Sequence, residues 1–181
     1  MTGATAASGD KASDRKLTFI LGGARSGKSL HAESLTTAFP SPWAYIATAQ
    51  AYDEEMRERI ALHQSRRGEG WVTVDAPLDL ADAIEALPNH QPVLIDCLTL
   101  WLTNHMLAEH DIEAECRQLA DVLSRPRGPW FVVSNEVGLG IVPDNALARR
   151  FRDAAGRLNQ QVATAADSVL MMVAGLPIKV K

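Results

Sequence analysis

The chain has 181 residues, a formal charge of −4 at pH 7 and 46% hydrophobic residues, which is an ordinary composition for a globular protein. This charge excludes a general attraction to nucleic acid or anionic membranes, and no apolar run is long enough to span a bilayer. The two cysteines, Cys97 and Cys116, exclude a disulfide framework and have no metal-ligand spacing, so both are expected to be buried, reduced thiols.

The N-terminal segment, residues 1–16, is rich in Ala, Ser, Thr, Gly and Asp and lacks the apolar region of a signal peptide. We therefore expect a disordered leader and a cytoplasmic protein. Residues 17–181 are expected to form one domain, because this length suffices for a single sizeable core.

A phosphate-binding loop is predicted at residues 22–29, whose sequence GGARSGKS fits the pattern G-x-x-x-x-G-K-[ST]. An apolar run at residues 17–21 predicts a strand before it, and a helix is predicted at residues 29–38. Glycines let backbone N–H groups turn toward phosphate oxygens, and the helix N-terminus adds positive partial charge. The alternative is an ordinary glycine-rich turn, but the flanking strand and helix favour nucleotide binding.

Within this loop, Lys28 is expected to reach the β- and γ-phosphates of a nucleoside triphosphate, and Ser29 to ligate Mg²⁺. Lys28 is also a candidate catalytic residue, because it can neutralise charge that spreads over the phosphate oxygens in the transition state. The candidate nucleotide-binding residues are Gly22, Gly23, Ala24, Arg25, Ser26, Gly27, Lys28 and Ser29.

The remainder of the chain alternates apolar strands with helices. Strands are predicted at residues 43–49, 71–75, 92–96, 130–134, 168–174 and, at an edge, 178–180. Helices are predicted at residues 53–67, 78–87, 98–109, 112–123 and from the N-cap Asp144 to about residue 166. This alternation implies a mostly parallel sheet with helices on both faces, and with the phosphate loop it predicts an α/β, P-loop nucleotide-hydrolase (RecA-like) fold.

Asp96 ends the predicted strand at residues 92–96. Ligands of parallel α/β sheets bind at the carboxyl ends of the strands, so this carboxylate is a candidate to hold Mg²⁺ or its water shell. The alternative is an N-cap for the following helix. The phosphate loop elsewhere in the same sheet favours the metal or nucleotide role.

His63 lies on the predicted helix at residues 53–67, and Arg59, Arg66 and Arg67 share its face at helical spacing. Positive neighbours disfavour the protonated imidazole, which keeps the ring neutral and suited to attack on phosphorus. From spacing alone, a solvated histidine on a basic face is the better interpretation. The other histidines have no comparable setting: His31, His90, His105 and His110.

A regulatory GTPase is not expected. Asp153 and Gly156 match the D-x-x-G pattern, but they lie inside a predicted helix and not after a strand, and no N-K-x-D motif is present. Gly156 costs a helix about 1 kcal/mol relative to Ala, and we interpret it as a point of close approach between helix and sheet.

Taken in order, several segments resemble the bifunctional adenosylcobinamide kinase / adenosylcobinamide-phosphate guanylyltransferase family of cobalamin biosynthesis. The matching segments span nearly all of residues 17–181. They are residues 22–29, 45–49, 59–63, 94–99, 134–143 and 152–160.

The resemblance implies two reactions. First, GTP or ATP donates its γ-phosphoryl group to the hydroxyl of the aminopropanol arm of adenosylcobinamide. Second, GTP donates GMP to adenosylcobinamide phosphate, which gives adenosyl-GDP-cobinamide and pyrophosphate. In the family the second reaction passes through a GMP–histidine intermediate, and the matching residue here is His63.

The resemblance also implies further nucleotide contacts and a homo-oligomer, and the phosphate loop together with Asp96 makes Mg²⁺ an expected cofactor, held by Ser29 and Asp96. Trp101 and Leu102 are candidate exposed apolar residues for an interface, although core packing is the commoner role for such residues. The nucleotide contacts implied by the matching segments are Ala47, Thr48, Ala49, Gln64, Ser65, Arg66, Arg67, Asp75 and Asp96.

Two alternatives stay open from the sequence. A different P-loop kinase acting on another small molecule explains the phosphate loop and Asp96, but leaves the basic face around His63 unexplained. A non-enzymatic, nucleotide-dependent regulatory module predicts tight nucleotide binding, slow turnover and a protein partner.

Overall fold

The computed structural model describes residues 15–50, Glu54 and residues 68–181. Apart from Glu54, the predicted helix at residues 53–67, with His63 and residues 64–67, therefore lies outside the described residues, as does nearly all of the predicted leader. The described elements are β1 (Lys16–Gly22), α1 (Lys28–Thr36), β2 (Trp43–Ala47), β3 (Trp71–Asp75), α2 (Leu80–Ala86), β4 (Val93–Asp96), α3 (Leu98–Leu107), α4 (Ile112–Leu123), β5 (Pro129–Asn135), α5 (Ala146–Ala165), β6 (Ser168–Val173) and β7 (Leu176–Lys179).

The seven described strands form one sheet in the order β3-β2-β4-β5-β1-β6-β7. All neighbouring strands are parallel except β7, which pairs antiparallel with β6. The prediction of a mostly parallel sheet is confirmed. Because β1 and β4 both flank β5, the phosphate loop after β1 and Asp96 at the end of β4 lie one strand apart on the same edge of the sheet.

The core covers both faces of the sheet, as predicted. Along β5, Trp130 and Val132 point into the larger hydrophobic cluster, whereas Phe131 and Val133 point into the smaller one. This alternation follows from the twofold period of a strand. Buried residues of α2, α3, α4 and α5 belong to the larger cluster, and Ala32 of α1 belongs to the smaller one.

Two expectations from the sequence are wrong in detail. The N-cap of α5 is Asn145, not Asp144, since Asn145 Oδ1 accepts the N–H of Ala148 at 3.1 Å. A Cβ added at Gly156 would meet no atom within 4 Å, so Gly156 is not a point of close helix–sheet approach. For Trp101 and Leu102, core packing, the commoner of the two roles, is the observed one: both are buried in the larger cluster, because α3 turns this face toward the sheet.

No helix within residues 15–50 or 68–181 has both the length and the apolar character needed to cross a membrane.

Candidate nucleotide-binding site

The phosphate loop adopts a conformation that depends on two glycines. Gly27 is the N-cap of α1 with φ 93°, in the left-handed region that favours glycine, and it makes no side-chain cap hydrogen bond. A Cβ at Gly22 would lie 2.6 Å from both Met172 O and Ser26 Oγ, so only glycine fits there. The first N–H groups of α1 have no partner within the helix, which leaves them as donors for phosphate oxygens.

Lys28 lies inside the loop, not in solvent. Its Nζ donates to Gly23 O at 2.6 Å and lies 3.5 Å from Ser26 Oγ, and only 7% of the residue is exposed. Burial lowers the pKa of Lys28, and the neighbouring Cys97 and Asp96 side chains oppose this shift. The ammonium group is thus held within the loop by the loop's own oxygens.

Asp75 and Asp96 end the two strands that flank β2, so both carboxylates lie at the same edge of the sheet. In the strand register, Ala47 pairs with Asp75 on one side and with Asp96 on the other. At ordinary strand spacing, the Cα atoms of the two aspartates are therefore roughly 10 Å apart. Only β5 lies between Asp96 and the strand that precedes the phosphate loop, whereas β2, β4 and β5 all lie between that strand and Asp75, so Asp96 is the nearer of the two carboxylates.

Thr48 is buried and bonds the residue that follows Asp96. Thr48 Oγ1 accepts the Cys97 N–H at 2.8 Å and donates to Cys97 O at 2.8 Å. The peptide bond between Asp96 and Cys97 is cis. Asn104 Nδ2 in turn donates to Thr48 O at 2.8 Å. Thr48 is a predicted nucleotide contact, and in the structure its hydroxyl bonds the backbone of Cys97, which holds the end of β4 and therefore Asp96 in place.

A buried polar network connects the ends of β4 and β5 with α5. Thr99 Oγ1 lies 3.0 Å from Cys97 Sγ and accepts from Asn135 Nδ2 at 2.7 Å, and Asn159 Nδ2 donates to Asn135 O at 3.3 Å. Burial, and then the Asp96 carboxylate, raises the pKa of Cys97 to about 11, so this thiol is protonated at neutral pH.

Sequence reasoning did not find this network. Its only signal was two polar residues close to strand ends, Thr99 and Asn135, neither of which was a candidate site residue. The network is linked to the phosphate loop by one further bond, from Glu136 N to Gly22 O at 3.0 Å.

One sheet edge therefore carries every described residue that the sequence nominated. Residues 22–29, Ala47, Thr48, Ala49, Asp75 and Asp96 follow or end strands β1 to β4 there. The Ser29 hydroxyl and the Asp96 carboxylate are oxygen donors of the kind that Mg²⁺ prefers. His63 and residues 64–67 lie outside the described part of the chain.

Comparison with known proteins gives a consistent set of relatives. The family model described as "Cobinamide kinase / cobinamide phosphate guanyltransferase" matches residues 18–180. The "Bifunctional adenosylcobalamin biosynthesis protein CobP" of Pseudomonas aeruginosa is 46% identical, with 90% of this chain and 95% of the relative covered. The "Bifunctional adenosylcobalamin biosynthesis protein CobU" of Escherichia coli K12 is 42% identical, with 90% and 98% covered.

Solved structures add support for the fold alone. A Pyrococcus horikoshii OT3 protein superposes with TM-score 0.52 at 11% identity, covering 93% of this chain and 87% of its own. An ATPase from the type III secretion system of pathogenic bacteria also gives TM-score 0.52, at 12% identity and with 87% and 51% covered. Similarity at this level of identity concerns the arrangement of the sheet and helices.

Proposed function

Because the chain belongs to the cobinamide kinase / cobinamide phosphate guanyltransferase family, we propose that its single phosphate loop serves two successive transfers to cobinamide. The enzyme is a kinase and a guanylyltransferase of cobalamin biosynthesis. The observation that carries the proposal is the buried Lys28 inside a glycine loop, with only β5 between the strand before that loop and the strand that ends at Asp96.

In the first transfer, the hydroxyl of the aminopropanol arm of adenosylcobinamide attacks the γ-phosphorus of GTP or ATP. A new O–P bond forms, the hydroxyl gives up its proton to solvent, the bond to the β-phosphate oxygen breaks, and the nucleoside diphosphate leaves. The N-terminal N–H groups of α1 bind the phosphate oxygens, and Lys28 neutralises the charge that develops on them. The oxygens that hold Lys28 in the free loop are replaced by those of the nucleotide.

Ser29 and Asp96 are the residues proposed to hold Mg²⁺, which when bound supplies charge neutralisation at the phosphates. Ser29 lies in the first turn of α1, and Asp96 is close enough to Lys28 for its charge to raise the Lys28 pKa. Thr48 keeps the end of β4 in place through its two bonds to Cys97.

In the second transfer, we propose that a ring nitrogen of His63 attacks the α-phosphorus of GTP. An N–P bond forms and pyrophosphate leaves. A phosphate oxygen of adenosylcobinamide phosphate then attacks the same phosphorus, the N–P bond breaks, and adenosyl-GDP-cobinamide is released. Arg66 and Arg67, which follow His63 at helical spacing, and residues 64 and 65 are proposed to orient the nucleotide.

The two transfers are separable by mutation. We expect Lys28→Met to abolish both phosphorylation of adenosylcobinamide and pyrophosphate release from GTP with adenosylcobinamide phosphate, because both need the triphosphate held in the loop. We expect His63→Ala to abolish only the second. Loss of both activities in the folded His63→Ala protein, or retention of both, would contradict the assignment of His63 to guanylyl transfer.

We also propose a homo-oligomer. The loop between β5 and α5 exposes Leu139 to 82%, Ile141 to 98% and Val142 to 60%, which leaves adjacent apolar side chains in contact with water. Sedimentation analysis of the wild type and Ile141→Lys tests the proposal. The charged variant is expected to dissociate, whereas a monomeric wild type contradicts an oligomer.

A further inference from the structure

Three side chains capable of binding a metal face one another at the turn between α3 and α4, apart from the residues assigned to the nucleotide site. His105 lies in the last turn of α3, His110 lies in the connection between the two helices, and Glu115 lies in the first turn of α4. One ligand atom from each residue falls within 4.8 Å of the others. The residues are five apart in sequence, so helical spacing does not explain their meeting.

The backbone of the turn holds these residues in place. The His110 N–H donates to His105 O at 3.1 Å and the Glu109 N–H donates to Met106 O at 3.3 Å, which are the two bonds of a Schellman motif. Glu109 takes the left-handed conformation at φ 57°, as the motif requires. Asp111 then caps α4 by accepting the N–H groups of Glu113 and Ala114. Both helix ends are therefore fixed around His110.

His105 has the partners typical of a metal-binding histidine. Its Nε2 lies 3.2 Å from Leu78 O, and because a carbonyl oxygen only accepts, Nε2 carries the proton. A second N–H donated to a backbone carbonyl is the usual means of orienting a histidine ligand. The residue is 2% exposed, and its ring lies 4.4 Å from the Trp101 ring between centroids. With the proton on Nε2, Nδ1 of the neutral ring presents a lone pair.

The distances fit a single ion. His105 Nδ1 lies 3.0 Å from His110 Nδ1 and 3.8 Å from Glu115 Oε2. Ligand atoms about 2.0–2.1 Å from a tetrahedral Zn²⁺ lie about 3.3 Å from each other. In the free protein His110 Nδ1 donates its proton to the His105 Nδ1 lone pair, and binding of an ion requires His110 to carry that proton on Nε2 instead or to release it.

The cluster borders a polar cavity of about 200 Å³, which gives an ion an entry path and room for a water ligand. Asp79 and Asp82 line the same cavity, and the Asp79 charge acts on His105. These carboxylates add negative potential that attracts a cation.

We propose that His105, His110 and Glu115 form a binding site for a late divalent transition-metal ion, with Zn²⁺ the best match. Two imidazole nitrogens and one carboxylate oxygen suit Zn²⁺ better than Mg²⁺ or Ca²⁺, which prefer oxygen alone. The fourth position faces the cavity and is left to water. A bound ion joins α3 to α4 and, through His105, to the segment that precedes α2.

The test uses the full chain without an affinity tag, free of nucleotide, titrated with Zn²⁺ alone and, in parallel, with Co²⁺. Calorimetry is expected to give one Zn²⁺ per chain, and Co²⁺ is expected to give the visible absorption of a four-coordinate site. His110→Ala removes an exposed ligand without opening the core, and it is expected to weaken Zn²⁺ binding by about 100-fold or more.

Matched variants separate this cluster from other donors. His90→Ala removes an exposed histidine elsewhere, and Glu113→Gln removes an exposed carboxylate on the same helix, so neither is expected to change Zn²⁺ affinity. Glu115→Gln is expected to weaken it. No stoichiometric Zn²⁺ binding by the wild type, or equal affinity in His110→Ala or Glu115→Gln, would overturn the three-ligand site.

Discussion

Both proposed transfers depend on Lys28. Because the residue is buried, its replacement is expected to lower the transfer rates without lowering the free energy of unfolding. Holding an ammonium group in a buried position costs free energy, which is the reason its pKa is lowered. We expect Lys28→Met to reduce both transfer rates by about 100-fold or more, since charge stabilisation at the transition state is lost. Thermal unfolding without nucleotide is expected to show equal or greater stability, and a clearly less stable variant would contradict this explanation of the loop.

Thr48 is expected to matter for stability, because its hydroxyl bonds the Cys97 backbone. Thr48→Val keeps the shape but leaves the buried Cys97 N–H without its acceptor, whereas Cys97 O keeps the Trp101 N–H at 3.2 Å. An unpaired buried polar group costs about 1–3 kcal/mol, so urea unfolding is expected to show a loss of about that size.

The matched control for Thr48 is Thr164→Val. Thr164 is exposed on α5, and its hydroxyl bonds only the Gln160 carbonyl of its own helix. We expect its replacement to change the free energy of unfolding by about 0.5 kcal/mol or less. Equal effects of the two variants would mean that the Cys97 bonds contribute little.

At the scale of residues, the sequence is sufficient where a local pattern is itself the chemistry. The glycine loop and Lys28 follow from one motif, and Asp96 follows from its place at a strand end. The bonds of Thr48 to Cys97 and the cluster around His105 were not predictable, because each joins residues that no helical or strand period relates. His105 and His110 meet only through a turn whose left-handed residue is Glu109, where glycine would have been the usual signal.

At the scale of elements, α5 contains a glycine that the fold does not require. A Cβ at Gly156 would meet no atom within 4 Å, so Ala fits the helix without displacement. We expect Gly156→Ala to stabilise the protein by about 1 kcal/mol, through helix propensity and a smaller unfolded-state entropy. The measurement is the free energy of unfolding in urea, and a destabilised variant would show that the space is not open.

Gly27→Ala is the opposite case in the same molecule. Gly27 has φ 93°, and a Cβ there would lie 3.2 Å from Gly175 Cα. Strain and contact together predict a loss of about 1–3 kcal/mol and weaker nucleotide binding. A stable Gly27→Ala protein with unchanged nucleotide affinity would contradict the account of the loop geometry.

Element type was predictable because the apolar runs were long and clearly bounded. The bounds of β3 and α4 agree with the prediction, and the other described elements differ by a few residues at their ends. The N-cap of α5 was misassigned because Asp144 and Asn145 are adjacent and equally suited to capping. In the structure the side chain of Asn145 is the one that accepts an N–H of the first helical turn.

At the scale of the whole molecule, the parallel character of the sheet was predictable and the order of its strands was not. When strands alternate with helices along the chain, the helices connect parallel strands, but many different strand orders are compatible with such connections. In the observed order β4-β5-β1, only β5 separates Asp96 at the end of β4 from the phosphate loop after β1.

The buried thiols give the molecule a predictable response to alkaline pH. Burial raises the pKa of Cys116 from 9.0 to about 11, so between these values the unfolded chain loses the thiol proton first and folding becomes less favourable as pH rises. One such shift corresponds to roughly 2–3 kcal/mol by pH 11. The free energy of unfolding of Cys116→Ala is therefore expected to fall less steeply than that of the wild type from pH 9 to 11. Parallel profiles would contradict a buried, neutral thiol.

Covalent labelling with GTP radiolabelled at the α-phosphate, on the wild type, His63→Ala and Lys28→Met, decides whether guanylyl transfer passes through His63. We expect acid-labile, base-stable label on the wild type, as for a phosphoramidate, and none on either variant. Label that persists on His63→Ala would move the nucleophile elsewhere. An unlabelled wild type that still binds GTP would contradict guanylyl transfer through the protein and leave a kinase alone.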